Sequence, residues 1–224
     1  MENGTRMTGR RNVRVHIITH VKASSQRADA TILNVEDARN VGRKLAGRIS
    51  AEGIVKIHAS PMTRTVQTAE GIAAGLAESN VQNLLRTRVR NTLAMPAVGN
   101  WQKFDEFLAD QTIPDGLKKT MWIDGKFDVD IMEHPESVLN RLKKALEFPM
   151  SLARMANGNG AGRDIDIVLV THRAVVEFMC ADLIGRDRKE YIKEQGTVGQ
   201  GEIVTIDLTN KNIAVKDKIL EMSC

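Results

Sequence analysis

Aromatic residues are scarce in this chain: five Phe, two Trp and one Tyr make up 4% of 224 residues. A core must therefore be built from Leu, Ile, Val, Ala and Met. Cysteine is scarcer still, with Cys180 inside a helical pattern and Cys224 last in the sequence. Two distant thiols without metal-ligand spacing exclude a disulfide framework and point to reduced thiols in a cytoplasm. No apolar run approaches the roughly 18 residues of a membrane span. Met1 to Asn12 is polar and basic with no apolar centre, so no secretory signal is visible and the segment is expected to be a flexible tail. Lys and Arg are dispersed rather than clustered, which argues against nucleic acid as a partner. A net charge of +4 and a pI near 9.1 suit an anionic small molecule instead.

What is present is the composition of an ordinary soluble protein, 42% hydrophobic and 27% charged, and its length fits a single domain over residues 1–224. Val13, Val15 and Ile17 alternate with Arg14, His16 and Ile18, predicting a strand that ends at Thr19-His20. Val35, Ala38, Val41, Leu45 and Ile49 recur at helical spacing, with Asn34 as N-cap and Gly53 as the stop. A strand over residues 54–59 precedes a helix that Ser60 is placed to cap, with Pro61 in its first turn. Residues 83–90 suggest a third strand and residues 135–155 a long helix. A connector follows at 157–162, then a buried strand from Ile165 to Val170 and a helix from Ala174 to Ile184. Residues 202–208 and 212–215 predict a closing edge hairpin. Strands alternating with helices imply an α/β three-layer sandwich on a mostly parallel sheet. Between Leu93 and Glu133 the periodicity fails, and this stretch holds Trp101, Phe104, Phe107, Trp122 and Phe127. It is either a lid-like insertion or a satellite cluster with short helices of its own.

Two apolar strands each deliver a histidine into a polar junction, His20 and His172, and Ser60-Pro61-Met62-Thr63-Arg64 lies between them. Ligands of open α/β sheets bind at such strand ends. A histidine can accept a phosphoryl group and pass it to water, provided cationic donors surround the oxygens. Arg64 stands in the first turn of a helix, where a cation opposes the helix dipole, an arrangement that makes sense if an anion binds there.

Together these residues resemble the histidine phosphatase superfamily, the phosphoglycerate-mutase-like fold, over roughly residues 13–185. The family's strand followed by Arg-His-Gly stands here as Thr19-His20-Val21. Its Ser-Ser-Pro-x-x-Arg-x-x-Gln-Thr-Ala-Glu stands as Ala59-Ser60-Pro61-Met62-Thr63-Arg64-Thr65-Val66-Gln67-Thr68-Ala69-Glu70. Its Gly-Glu-Ser helix start is Pro135-Glu136-Ser137, and its Ser-His-Gly-Gly is Thr171-His172-Arg173-Ala174. The resemblance implies that His20 accepts the phosphoryl group while Arg64 and His172 hold its oxygens. Thr19, Lys22, Gln26 and Thr171 are the further candidates for substrate contact, with Lys22 replacing part of the lost cationic charge and Gln26 standing where the family often has an asparagine.

The departures carry equal weight. Thr19 brings no charge where the family has an arginine, and Val21 replaces a glycine. Counting back from Val98-Gly99-Asn100-Trp101-Gln102 puts Met95 at the acid position, and a thioether donates no proton. Asp105, Glu106 or Glu136 would have to replace that acid. The expectation is a phosphatase-type hydrolase of a phosphomonoester or phosphorylated small molecule, working through a phosphohistidine at His20 with weakened or altered catalysis. The alternative is an impaired relative that binds a phosphorylated ligand or partner. Neither a metal nor a cofactor is expected, and no membrane partner. A carboxylate near His20 distinguishes the enzyme from the binder. Nothing in the sequence indicates an oligomeric state.

Overall fold

The computed structural model describes residues 11–223, apart from residues 26, 28, 114–117, 119–120, 157–161 and 217. Seven strands are described: β1 (Val13–Thr19), β2 (Ile54–Ala59), β3 (Leu84–Val89), β4 (Ile165–Thr171), β5 (Ile203–Asp207), β6 (Asn212–Val215) and β7 (Lys218–Glu221). They form one sheet in the order β3-β2-β4-β1-β5-β6-β7. The first four are mutually parallel, and β5, β6 and β7 continue from β1 as an antiparallel meander. The edge hairpin expected near the carboxyl end is therefore extended by β7, a strand that the short segment Lys218–Glu221 did not announce.

The period of two along the strands assigns each side chain to a face. Val13, Val15 and Ile17 of β1 join Ile165, Ile167 and Leu169 of β4 in one cluster. Ile18, Val168 and Val170 belong to the other. The first face is covered by α4 (Pro135–Ala156) and α5 (Arg173–Leu183), the second by α1 (Val35–Ala46) and α2 (Thr63–Glu78). This is the expected three-layer sandwich, and it explains why all seven residues of β4, covered on both faces, are buried.

Local chemistry sets the helix ends. Asn34 caps α1, its side chain accepting from the Glu36 N–H at 3.0 Å. That helix stops at Ala46, seven residues before the expected Gly53, although Ile49 remains buried in the following turn. α1 and α2 approach closely at Gly42 and Gly75: a Cβ on Gly42 would lie 2.4 Å from the Ile72 carbonyl oxygen, and one on Gly75 2.2 Å from that of Arg39.

The stretch from Leu93 to Glu133 contains α3 (Trp101–Ala109), which buries no residue fully, and a helical turn at residues 121–123. An ion pair pins it to α4. Arg141 meets Glu133 at 2.8 Å and also donates to the carbonyls of Thr92, Ala94 and Met95. The Trp122 indole N–H donates to the Glu133 carbonyl at 2.9 Å, and its ring stacks on Phe178 of α5 with centroids 4.9 Å apart. The stretch thus has a short helix of its own and contacts α4 and α5. The last short helix, α6 (Arg188–Gln195), leads into a glycine-rich segment that returns beside β1.

Candidate active site

The strand order makes the site. β4 lies between β2 and β1, so the carboxyl ends of three strands converge. The His20 N–H donates to the Thr171 carbonyl at 3.0 Å and the Ser60 N–H to the Val170 carbonyl at 2.9 Å. Residues separated by more than a hundred positions in the chain therefore share one cavity of about 270 Å³. Thr19, His20, Arg64, Met95, Arg173 and His172 are among the residues on its wall.

His20 is half-buried, its ring 5.4 Å from that of His172 and inclined to it by 66°. Its Nδ1 lies 2.8 Å from the Val21 carbonyl oxygen. A carbonyl accepts only, so the proton sits on Nδ1 and Nε2 carries the lone pair. The Arg64 Nε–H donates to that Nε2 at 3.2 Å. Burial pushes the His20 imidazole below its ordinary value; the bond to Val21 opposes this, and the charges of Arg64 and Arg173 add to it.

Arg64 is fully buried. It also donates to the Arg27 carbonyl oxygen and to the Met95 sulfur, the latter at 3.6 Å. Burial lowers its pKa, yet guanidinium keeps its charge at any ordinary pH. His172 is 5% exposed, with Nε2 2.9 Å from the Ser60 hydroxyl and no partner for Nδ1 among the described residues. Burial, followed by the charges of His20, Arg64 and Arg141, holds its ring well below the ordinary value and hence neutral. Ser60 therefore serves this histidine; the N-cap position of α2 is Met62, with no side-chain cap.

The motif on α2 also grips the histidine loop. The Thr68 hydroxyl accepts from the Val21 N–H at 3.3 Å and donates to the Arg64 carbonyl at 2.7 Å, while the Gln67 side-chain Oε1 accepts from the Ile32 N–H at 2.9 Å. Val21 is 4% exposed, packs into the α1/α2 cluster and is not among the described residues with positive φ, so its replacement of a glycine carries no backbone strain.

Other candidates are placed elsewhere. Thr19 reaches the cavity wall, but its hydroxyl donates to the Gly199 carbonyl. The Thr171 hydroxyl donates to the Leu93 carbonyl at 2.7 Å and does not line the cavity. Lys22 lines a separate surface pocket with Asp37 and Lys44 and is not brought to the cavity. Gln26 lies outside the described residues. Arg173 and Gln200 line the wall and were not read from the sequence. Arg173 follows His172 directly and had a positional signal; Gln200, in the Gly199-Gln200-Gly201 segment, had none.

No carboxylate is among the described residues lining the cavity. Asp105 pairs with Arg27 at 2.6 Å, Glu136 pairs with Arg188 at 2.8 Å, and Glu106 accepts from Gln102 at 2.9 Å. Arg64 and Arg173 stand beside two neutral imidazoles, so the described wall of the cavity is cationic.

The family model of the histidine phosphatase superfamily (branch 1) matches residues 20–218. The chain belongs to the histidine phosphatase superfamily. Solved structures with this superfamily's fold agree. The alpha-ribazole phosphatase of Shigella flexneri is similar with a TM-score of 0.60 and 19% identity, over 93% of this chain and 96% of that one. A mycobacterial glucosyl-3-phosphoglycerate phosphatase has a TM-score of 0.62 at 16% identity, over 87% and 90%. A structure described as mycobacterial hydrolase 1 reaches 0.64 at 16% identity, over 92% and 97%. A search of curated proteins found no match. The match to the superfamily model begins at His20, one of the residues on the cavity wall.

Proposed function

We propose that this member of the superfamily is a phosphatase-type hydrolase of phosphomonoesters, acting through a phosphohistidine at His20. The observation that carries the reading is the tautomer of His20, whose Nε2 lone pair is presented beside the Arg64 guanidinium. In the first step that lone pair forms an N–P bond as the P–O bond to the leaving group breaks. The oxygen departs with the electron pair and takes its proton from water. In the second step water attacks phosphorus, the N–P bond breaks, and orthophosphate leaves as His20 regains its lone pair. Arg64 and Arg173 offset the charge of the phosphoryl oxygens. If the Ser60 hydroxyl donates to Nε2 of His172, its Nδ1 carries a proton, and a phosphoryl oxygen is the acceptor that this buried N–H otherwise lacks.

The absence of a carboxylate from the described cavity wall sets the terms of this chemistry. Loss of a general acid costs about 10²–10⁴ in rate, and the cost is smallest for leaving groups that are already weak bases. The same observation favours a second reading, a protein that binds a phosphorylated ligand without turning it over. A buried, unpaired Cys180 suits a reducing cytoplasm for either role.

Mixing the protein with a ³²P-labelled aryl phosphate and quenching in alkali, where phosphohistidine survives, separates the two. Label on the wild-type chain and none on His20→Ala is the expected result. Saturable phosphate binding with neither label nor release of the alcohol would establish the binder instead.

A further inference from the structure

Beside the cationic cavity lies a second one of about 400 Å³, and Trp122 and Met132 line both. Its other walls come from Phe104, Phe107 and Leu108 of α3 and from Phe127. Phe107 and Phe127 meet edge to face with centroids 4.4 Å apart. Lys118, also on its wall, donates to the Leu108 carbonyl at 2.6 Å. Trp122, on the wall of both cavities, is stacked on Phe178 and held through its N–H by the Glu133 carbonyl. α3 thus carries an apolar stripe that buries no residue fully and lines a cavity next to the phosphoryl site. In a chain with so few aromatic residues, their concentration at this one place calls for an occupant.

We propose that this second cavity receives the leaving group of the substrate, and that the substrate class is phosphomonoesters of aromatic alcohols. Two independent observations lead there. The described wall of the phosphoryl cavity offers no acid, which favours a departing oxygen that is a weak base, as a phenolate is and an alkoxide is not. The adjoining cavity is lined by aromatic and aliphatic side chains, the surroundings that a flat apolar ring prefers. The inference rests on the phosphoryl-transfer reading of His20 for its chemistry, but the preference for an aromatic group in the second cavity is testable without turnover.

The experiment uses the full chain and pairs of probes that share a phosphate end. Phenyl phosphate and 2-naphthyl phosphate have leaving groups of similar basicity and differ in apolar size. kcat/KM is expected to be at least about tenfold higher for the naphthyl ester, the scale of filling a hydrophobic pocket, and Phe107→Ala should bring that ratio back toward one. In parallel, 2-naphthylmethylphosphonate and methylphosphonate, which have no ester bond to break, are compared by calorimetry, with the naphthyl compound expected to bind about tenfold tighter. Turnover of both esters without a naphthyl preference, and equal phosphonate affinities, would overturn the leaving-group site while leaving the phosphatase reading standing. A naphthyl preference in binding with no turnover of any ester would overturn the phosphatase reading and leave the aromatic site standing. A naphthyl preference that is unchanged in Phe107→Ala would overturn the assignment to this cavity.

Discussion

At the scale of the residue, the chemistry turns on which form of His20 is present. Burial is the first cause of its lowered pKa, so the ring is neutral at pH 7 and Nε2 keeps its lone pair. The phosphorylation rate is expected to rise with pH along a limb centred below the ordinary 6.5 and to level off above it. A phosphate monoester loses its second proton near pH 6, at about the same place. An NMR titration of the His20 ring in the free protein therefore assigns the limb, and a midpoint at or above the ordinary value would contradict the placement. Arg173→Gln removes a like charge and should move that midpoint upward while slowing the reaction, because the cavity loses a cation. An arginine at position 19 would not restore the family pattern cheaply. Thr19 is 2% exposed, and its hydroxyl is held by the Gly199 carbonyl.

At the scale of the element, the seating of α2 matters because it presents Arg64 from its first turn and grips the His20 loop through Thr68 and Gln67. Its distance from α1 is set by glycine. Alanine is the better helix former by about 1 kcal/mol, yet a methyl on Gly75 would meet the Arg39 carbonyl oxygen at 2.2 Å, and backbone cannot rotate out of the way. Gly75→Ala is expected to destabilise the protein by about 1–3 kcal/mol, the range for overpacking. Gly47→Ala, where the nearest contact is at 3.6 Å, should be nearly neutral. Urea denaturation of the two variants checks the pair; equal midpoints would show that the helices can separate without loss.

At the scale of the whole molecule, the neutral histidines make the fold sensitive to acid. His58 of β2 is 9% exposed, its Nε2 has no partner among the described residues, and burial, then Arg90, Lys56 and Arg88, push its pKa down to about 4. The unfolded chain takes up that proton near 6.5 and the folded chain only near 4, so between these values the unfolded state binds more protons. Stability therefore rises with pH through that window and is lost on acidification, by on the order of 3 kcal/mol from this residue. His172 acts in the same direction. Asp166, paired with Arg14 and His16, has its pKa lowered despite its burial and contributes stability that is lost only as pH falls below the ordinary 3.8. Denaturation midpoints measured from pH 7 to 4 should fall steadily for the wild type and less steeply for His58→Gln. Parallel slopes would remove His58 from the explanation.

Much of this architecture was legible in local pattern. Alternation in residues 13–19 and the apolar run at 165–170 specify strands, the spacing of Val35, Ala38, Val41 and Leu45 specifies a helix face, and the run from Ser60 to Glu70 carries the superfamily's signature. These are properties of neighbouring residues, and neighbours are what a sequence displays. The strand order β2-β4-β1, which brings His20, Ser60 and His172 to one place, follows from long-range pairing that no local window contains. The same holds for the partners that decide chemistry. The Val21 carbonyl that fixes the His20 tautomer is one residue away, but Ser60 and His172 are 112 apart in the chain, and Thr171 and Leu93 are 78 apart. Met95 at the acid position could be counted from the sequence. That Arg27 holds Asp105 and Arg188 holds Glu136 could not, because those pairs span 78 and 52 positions of the chain, whereas the Gln102–Glu106 contact, one turn apart on α3, is local. The sequence by itself determined the four parallel strands, the helices α1, α2, α4 and α5, and the histidines at the strand ends. Tertiary structure decided which cations surround them, which hydroxyls are spent on carbonyls and where the aromatic cavity opens, since a polar group's function depends on its distance in space to partners remote in the chain.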